Sequence, residues 1–176
     1  IIRPGYAIRL DGLVNGIRYE LFVVYAQPDN AASILKETIK FAKNNGRDRR
    51  VCMLLGDFNF DRARDNTQDK QRAALYDELC SVLGIVEAPI AGAVGKTHSF
   101  IGRHGVGSTI DHIAISSSLR AHQGIQWVIT AASRSLGPTT YGHLPLRIIA
   151  KATAVKSRLP KAKNIPCYAF ERSNAY

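Results

Sequence analysis

The stretch Val51-Cys52-Met53-Leu54-Leu55-Gly56-Asp57-Phe58-Asn59-Phe60 decides how the rest of the chain is arranged. Its first five residues are apolar, which predicts a short strand buried on both faces. Gly56 lets the backbone approach a ligand closely. If the chain stays extended, Asp57 and Asn59 lie on one side of it, roughly 7 Å apart at Cα. A carboxylate and an amide then point together from the C-terminal end of a strand, where open α/β sheets build their sites.

The same residues have an ordinary alternative, because Asp and Asn often end a strand in an Asx turn. Gly-Asp-Phe-Asn after an apolar strand is nevertheless more specific than a turn requires. It resembles the signature of the endonuclease/exonuclease/phosphatase superfamily of divalent-metal phosphoesterases, which includes pancreatic deoxyribonuclease, abasic-site endonucleases, retroelement endonucleases and inositol-phosphate phosphatases. The resemblance implies an α/β fold, a four-layer sandwich of two sheets flanked by helices, incomplete at the N-terminus.

Two later strings extend the resemblance. In Ser108-Thr109-Ile110-Asp111-His112-Ile113-Ala114-Ile115-Ser116, two isoleucines share the side of Asp111, which places this carboxylate at the edge of the core and in need of a partner. The superfamily has Asp-Tyr/Arg/His-Ile here, and its Asp orients the catalytic histidine. In Thr139-Thr140-Tyr141-Gly142-His143-Leu144-Pro145-Leu146, His143 and Pro145 match the Ser-Asp-His-x-Pro of the superfamily, whereas Gly142 replaces its metal-binding or electrostatic Asp.

The resemblance assigns a role to each catalytic candidate. Asp57 would orient or deprotonate the attacking water, and Asn59 would donate to the phosphate or hold the geometry of Asp57. His143, oriented by Asp111, would bind the phosphate as imidazolium or act as the base. Tyr25, which ends a strand before Ala26-Gln27-Pro28, would donate to a phosphate oxygen. Without the resemblance, Tyr25 is typical of a half-buried core residue.

The implied cofactor is Mg²⁺ or Mn²⁺, which takes hard oxygen ligands. The superfamily supplies its principal glutamate and an asparagine from its N-terminal third, and the resemblance covers only the C-terminal two-thirds. With Asp57 as the only acidic residue securely placed in the metal site, we expect no tight Mg²⁺ binding by this chain alone. The opening Ile1-Ile2-Arg3-Pro4 lacks an initiator methionine and a signal-peptide layout, so we expect a piece of a longer, retroelement-like polyprotein.

Strand and helix signals alternate along the chain, which predicts a covered parallel or mixed sheet. Strands are expected at 6–10 and 18–25, joined through the turn dipeptides Asp11-Gly12 and Asn15-Gly16, and at 51–55 and 146–150. Helices are expected at 31–43, and at about 68–83 with Gly84 ending the second. Residues 1–150 form the expected domain and 151–176 a basic tail or linker.

The net charge of +10 points to polyanions, nucleic acid first and an anionic membrane surface or an acidic protein second. The expected partner is nucleic acid, with DNA favoured. Residues 1–150 hold 18 basic and 13 acidic residues (+5), and residues 151–176 hold six basic and one acidic (+5). The tail also fits a solvated linker. In the glycine-rich segment 92–107, Thr97 and Arg103 are candidates for binding the phosphate backbone, and the alternative is a hairpin connection without function.

Composition narrows the class of protein. Three cysteines without metal-ligand spacing indicate free thiols in a reducing, intracellular compartment, with the nucleus among the candidates, and argue against a zinc site. No apolar run approaches the 18 residues or so of a membrane helix. The expected function is metal-dependent phosphodiester hydrolysis of nucleic acid. The alternatives are a catalytically decayed module that binds nucleic acid or protein, which Gly142 favours, and a phosphatase for small phosphoesters such as inositol phosphates.

Overall fold

The computed structural model describes residues 1–14, 17–45, 51–87, 98–102, 104, 106–116, 125–131, 142–143 and 146–152. Its strands are β1 (Ala7–Val14), β2 (Ile17–Tyr25), β3 (Val51–Asp57), β4 (Ile85–Glu87), β5 (Phe100–Ile101), β6 (Gly107–Ser108), β7 (Asp111–Ser116), β8 (Ile125–Ala131), β9 (Gly142–His143) and β10 (Leu146–Ala152). Its helices are α1 (Ala31–Asn44) and α2 (Thr67–Leu83). Neither of these helices is long and apolar enough to cross a bilayer.

A five-stranded mixed sheet with the order β1-β2-β3-β7-β4 carries the motif strand at its centre. The strand β3 pairs in parallel with β2, so that Tyr25 lies beside Asp57 in the register. On its other side β3 pairs antiparallel with β7, and Asp57 lies beside Asp111. The two candidate carboxylates and the candidate tyrosine therefore come from neighbouring ends of three adjacent strands.

Both helices pack against one face of this sheet. Because Phe22, Cys52 and Leu54 alternate with less buried neighbours, they point to that face and meet the apolar side of each helix. Asn66 caps α2 by accepting a hydrogen bond from the backbone N–H of Asp69, and Gly84 ends it in the left-handed conformation (φ 65°). Both faces of β7 are buried, because Ile113 and Ile115 are covered on one face and His112 and Ala114 on the other.

Two smaller groups of strands complete the described part of the chain. The strands β6, β5 and β9 form a three-stranded sheet in which His143 pairs with Phe100. The strands β10 and β8 pair antiparallel. With two sheets of three or more strands and two flanking helices, the predicted fold class of a two-sheet α/β sandwich is confirmed.

Several details differ from the sequence prediction. Residues Asp11 and Gly12 continue β1 and pair with β2, so they form no turn. The strand β3 is buried at Cys52 and Leu54 but only half-buried at Val51, Met53 and Leu55, so one face is more deeply covered than the other. The strand β10 runs two residues further than predicted, to Ala152.

The thiol prediction is confirmed for the two described cysteines. Cys52 and Cys80 are free and buried, and burial raises the pKa of each thiol to about 12. Cys167 lies outside the described residues.

Candidate active site

The turn after β3 shapes the site. The sequence analysis predicted an extended backbone at Asn59, and this is wrong. Asn59 has a left-handed backbone (φ 51°), a conformation that Asn tolerates better than most residues. Its backbone N–H donates to Oδ1 of Asp57 at 2.9 Å, which is an Asx turn. The two residues therefore form the strand-ending turn and line a common cleft at the same time.

The side chain of Asn59 joins the ends of β2 and β3. Its Nδ2 donates to the carbonyl oxygen of Ala26 at 3.0 Å, and the backbone N–H of Ala26 donates to the carbonyl oxygen of Asp57 at 2.7 Å. Of the two roles left open for Asn59, these contacts favour holding Asp57 in place. Gly56 makes this junction narrow, because a Cβ there would lie 1.8 Å from the carbonyl oxygen of Val24.

His143 lies between the two carboxylates. Its Nδ1 is 3.1 Å from Oδ2 of Asp111, and its Nε2 is 3.7 Å from Oδ2 of Asp57. The carboxylates are mostly covered, with 14% of the Asp57 and 18% of the Asp111 side chain exposed, whereas 49% of the histidine side chain faces solvent. The ring of Phe100 meets the imidazole edge to face at 5.0 Å between centroids.

The environment of Asp57 raises the pKa of its carboxyl group. Burial raises its pKa, the neighbouring charge of Asp111 raises it further, and the Asn59 hydrogen bonds and His143 oppose the rise without cancelling it. A half-buried carboxylate with a raised pKa is a feature of sites that handle protons.

The cleft itself has a volume of about 450 Å³ and is open to solvent. Tyr25 borders it with 45% of its surface exposed, and its ring stacks on that of Tyr6 at 6.3 Å between centroids. The structure thus brings Tyr25, Asp57, Asn59 and His143 to one cleft and places Asp111 against the histidine ring. Thr97 and Arg103, the predicted backbone-binding candidates, lie outside the described residues.

The donor atoms of Asp57, Asp111 and His143 all lie within 4.8 Å of one another. Carboxylate oxygens suit Mg²⁺ and Mn²⁺, so this group fits such an ion through its two carboxylates. Gly142 has a positive φ of 117° and contributes no ligand atom from its side chain.

Sequence reasoning missed several residues that line the cleft. They are polar or basic and come from α2, the turn before it and the strand β6: Arg64, Asn66, Gln68, Asp69, Arg72 and Ser108. The hydroxyl of Ser108 is buried and has no hydrogen-bond partner within the described ranges. The available signal was position, because Arg64 and Arg72 follow the motif within 15 residues.

A second cluster, beside the core, was also missed. The ring nitrogens of buried His112 contact Oε1 of Glu87 at 2.6 Å and the carbonyl oxygen of Phe60 at 3.1 Å. Burial alone would raise the pKa of Glu87, but the His112 hydrogen bond and the charges of His112 and Arg62 outweigh it, so that the pKa is lowered. Arg62 also forms a bidentate pair with Asp77 of α2.

Comparison with known proteins gives structural likeness only. No family model matches the chain. No curated protein matches it either. Among solved structures, the chain is similar to a 3′-5′ exonuclease from Neisseria meningitidis, with 16% identity over 81% of this chain and 64% of that one, at a TM-score of 0.60.

It is also similar to the endonuclease domain of TRAS1, a telomere-specific non-LTR retrotransposon, with 14% identity, coverage of 88% and 67%, and a TM-score of 0.58. A beta toxin from Staphylococcus aureus with bound magnesium ions matches with 13% identity, coverage of 84% and 57%, and a TM-score of 0.52. The chain thus spans less than two thirds of the length of the Neisseria exonuclease and of the toxin. These likenesses confirm the predicted kind of fold.

Proposed function

We propose that this chain, which has the endonuclease/exonuclease/phosphatase fold, is a divalent-metal-dependent phosphodiesterase that cleaves nucleic acid, DNA by preference. The observation that carries the proposal is the contact of one imidazole with Asp111 at 3.1 Å and its approach to Asp57 at 3.7 Å, at the border of a nucleotide-sized cleft. Structural neighbours that are an exonuclease and a retrotransposon endonuclease support it, as does the charge of +10.

In this proposal Asp57 acts on water. Its Oδ1 is held by the Asn59 N–H, while Oδ2 lies 3.7 Å from Nε2 of His143, too far for a direct hydrogen bond. A water that lies beside this pair of atoms can donate a hydrogen bond to Oδ2 of Asp57, which then accepts its proton. Asp57 is therefore the residue that orients the nucleophile and receives its proton.

His143 and Tyr25 act on the phosphate. The carboxylate of Asp111 accepts the Nδ1–H of His143, which leaves Nε2 directed toward Asp57 and the cleft. From there a protonated Nε2 donates to a non-bridging oxygen, where negative charge develops during the reaction. The exposed phenol of Tyr25 is a second donor at the same cleft.

A divalent ion would be held by Asp57, with Asp111 next to it, and the remaining positions would go to water and substrate oxygens. When bound, Mg²⁺ or Mn²⁺ lowers the pKa of water and neutralises phosphate charge. The beta toxin with bound magnesium ions is the neighbour that supports this choice of metal.

Nicking of supercoiled plasmid tests the proposal. With millimolar Mg²⁺ or Mn²⁺ the full chain should convert supercoiled to relaxed DNA, EDTA should prevent this, and the His143→Ala variant should nick far more slowly than the wild type. Equal nicking by wild type and variant, or none by either, would overturn the proposal.

A second candidate function is a non-catalytic module that binds nucleic acid. The observation that favours it is Gly142, which leaves Asp57, Asp111 and His143 as the one described group able to hold a metal. Such a module would slow the migration of plasmid in a gel-shift assay and would produce no nicks with either ion.

A further inference from the structure

Two arginines at the α2 end of the cleft take no part in the mechanism above. Arg64 precedes α2 and Arg72 lies in its second turn, and both line the cleft that Asp57 and His143 also line. Their guanidinium groups are permanently charged, and each carries N–H donors in a planar fork that matches phosphate geometry.

Arg72 is fixed in place, yet its donors are not exhausted. Its guanidinium donates to the carbonyl oxygens of Asn59 and Pro28, the latter at 2.7 Å, and 14% of its side chain is exposed. Carbonyl oxygens are neutral, and the carboxylate of Asp69 stands 4.0 Å away, at the limit of an ion pair. Two of five N–H donors are used, so the group retains both hydrogen-bonding capacity and positive charge at the cleft.

Arg64 is anchored by its backbone and free at its side chain. Its N–H donates to the carbonyl oxygen of Asp61, and Asp61 is itself buried and held by the N–H groups of Ala63 and Thr109. The Arg64 guanidinium is exposed and makes no hydrogen bond or ion pair with any part of the chain that the structure describes. An exposed guanidinium on a turn that is held by hydrogen bonds can donate to an anion in the cleft.

The surrounding charges leave this end of the cleft positive. Asp69 is the acidic residue among its lining groups there, against the two guanidinium groups. Nearby Lys70 is already paired with Asp65 and does not border the cleft. The amides of Asn66 and Gln68 border it as well and add neutral donors.

We propose that Arg64 and Arg72 form a second phosphate subsite, which binds the phosphate next to the scissile one in a nucleic-acid strand. The inference rests on the proposed function, and it restricts the substrate to molecules that carry a second phosphate near the scissile one, as every nucleic-acid strand does. Arg72 also holds the turn of Asn59, so Arg64 is the arginine whose removal tests binding without disturbing the fold.

The test measures binding without chemistry. A fluorescein-labelled single-stranded oligonucleotide is titrated with the full chain in EDTA, at several salt concentrations from about 50 to 200 mM, and anisotropy gives Kd. Arg64→Gln should weaken binding by about 5- to 10-fold at the lowest salt and reduce the slope of log K against log salt by about 0.7.

Arg18→Gln is the matched control, because Arg18 is an equally exposed arginine that borders a different cleft, next to β1. It should change Kd by less than about 2-fold. If Arg64→Gln and Arg18→Gln have the same effect, or if the wild type does not bind the oligonucleotide, the subsite is refuted. Nicking assays are scored separately, so a chain that binds through Arg64 but never cleaves refutes only the proposed function.

Discussion

Among the described residues, few neighbours fix the orientation of the His143 imidazole. About half of its side chain faces solvent, and its contacts with those residues are the carboxylate of Asp111 at Nδ1, the ring of Phe100 and, at 3.7 Å, the carboxylate of Asp57. A packed core does not hold it, so the Asp111 contact should be worth more to catalysis than to stability. Mutation of Asp111 can separate these two quantities.

Replacement of Asp111 by Asn should lower the rate of plasmid nicking by about 100- to 1,000-fold, because an amide can present N–H to Nδ1 and select the wrong tautomer. The thermal unfolding midpoint should stay close to that of the wild type. Nicking rates of Asp111→Asn, His143→Ala and the double variant check this. The double variant should be no slower than His143→Ala, since residues that act as one unit are not additive. A fully active Asp111→Asn would contradict the role of Asp111.

The residue scale also shows what a sequence can predict of a site. The identities of Tyr25, Asp57, Asn59, Asp111 and His143 came from motif strings, and the structure places them together around one cleft. The backbone of Asn59 was predicted wrongly, because alternation assumes an extended chain and Asn is one of the few residues that also adopt positive φ. Contacts such as Arg72 with two backbone carbonyls follow no spacing rule, so no pattern could reveal them.

At the scale of elements, the strands β2 and β3 are joined more closely than a side chain at position 56 would permit. Gly56 has a φ of 153°, and a Cβ there would meet the backbone of Val24 at 1.8 Å. A backbone carbonyl cannot move aside as the end of a flexible side chain can. The pairing that sets Tyr25 beside Asp57 therefore requires glycine at this position.

Gly56→Ala should reduce the free energy of unfolding by at least about 3 kcal/mol, because the methyl group must push the two strands apart. Urea titration followed by circular dichroism measures the loss. Gly12→Ala on β1 is the matched control, since nothing lies within 4 Å of the Cβ position there, and it should change stability by less than about 1 kcal/mol. Equal stabilities of the two variants would show that the strands can separate without cost.

The strands β4 and β7 and the helix α2 are tied by an ionic network that is buried at His112, half-buried at Glu87 and exposed at Arg62 and Asp77. Glu87 contacts His112 at 2.6 Å and Arg62 at 3.1 Å, and Arg62 reaches Asp77 on α2 at 2.6 Å. The rings of Phe60 and His112 stack at 4.2 Å between centroids. Since the folded state lowers the pKa of Glu87 below 4.5, the network favours the folded chain while Glu87 is ionised.

Glu87→Gln should lower the free energy of unfolding at pH 7 by about 1–3 kcal/mol, because His112 loses a charged partner in a buried position. The contribution of Glu87 is complete above pH 4.5 and disappears as the pH falls through its lowered folded-state pKa. The difference from wild type should therefore shrink in acid. Urea titrations at several values from pH 7 down to roughly pH 3, below the ordinary pKa of a glutamate, measure the stability difference at neutral pH and its decrease in acid.

Glu78→Gln serves as the control for that experiment, since Glu78 pairs with Lys43 on exposed surface. It should cost less than about 1 kcal/mol at pH 7. A difference between Glu87→Gln and wild type that stays constant from neutral to acid pH would contradict the assigned sign.

Elements differ in how far the sequence predicts them. The helices and β2, β3 and β7 were predictable because their apolar pattern runs for at least five residues and is bounded by Pro, Asp or Gly. The strands β5, β6 and β9 have two residues each, too few for any period to be visible. Tyr76, wholly buried against Phe58, was missed because Tyr occupies core and surface positions about equally often.

At the scale of the whole molecule, the order of the sheet brings distant parts of the sequence together. Because β7 inserts between β3 and β4, the ends of β2, β3 and β7 meet at one edge, and β9 adds His143 through its pairing with β5. No single segment contains the site. The proposed hydrolysis therefore requires the sheet to be intact, whereas the proposed attraction to polyanions requires only the surplus of Lys and Arg.

That surplus yields a prediction that separates nucleic acid from small phosphoesters as substrates. The net charge of +10 is divided equally between residues 1–150 and residues 151–176, so a long polyanion can contact both parts while a small molecule occupies the cleft alone. If about three phosphates are contacted on duplex DNA, kcat/KM for plasmid nicking should fall about 40-fold between roughly 50 and 200 mM salt, following a slope near −0.9 for each contact. Hydrolysis of bis(p-nitrophenyl) phosphate under the same conditions should change by less than about 3-fold, because only one phosphate is bound.

Initial rates at constant Mg²⁺ or Mn²⁺ give the salt dependence of both reactions. Equal salt dependence for the two substrates would mean that the cleft alone recognises its ligand. That result would contradict the proposed nuclease and favour a phosphatase of small phosphoesters.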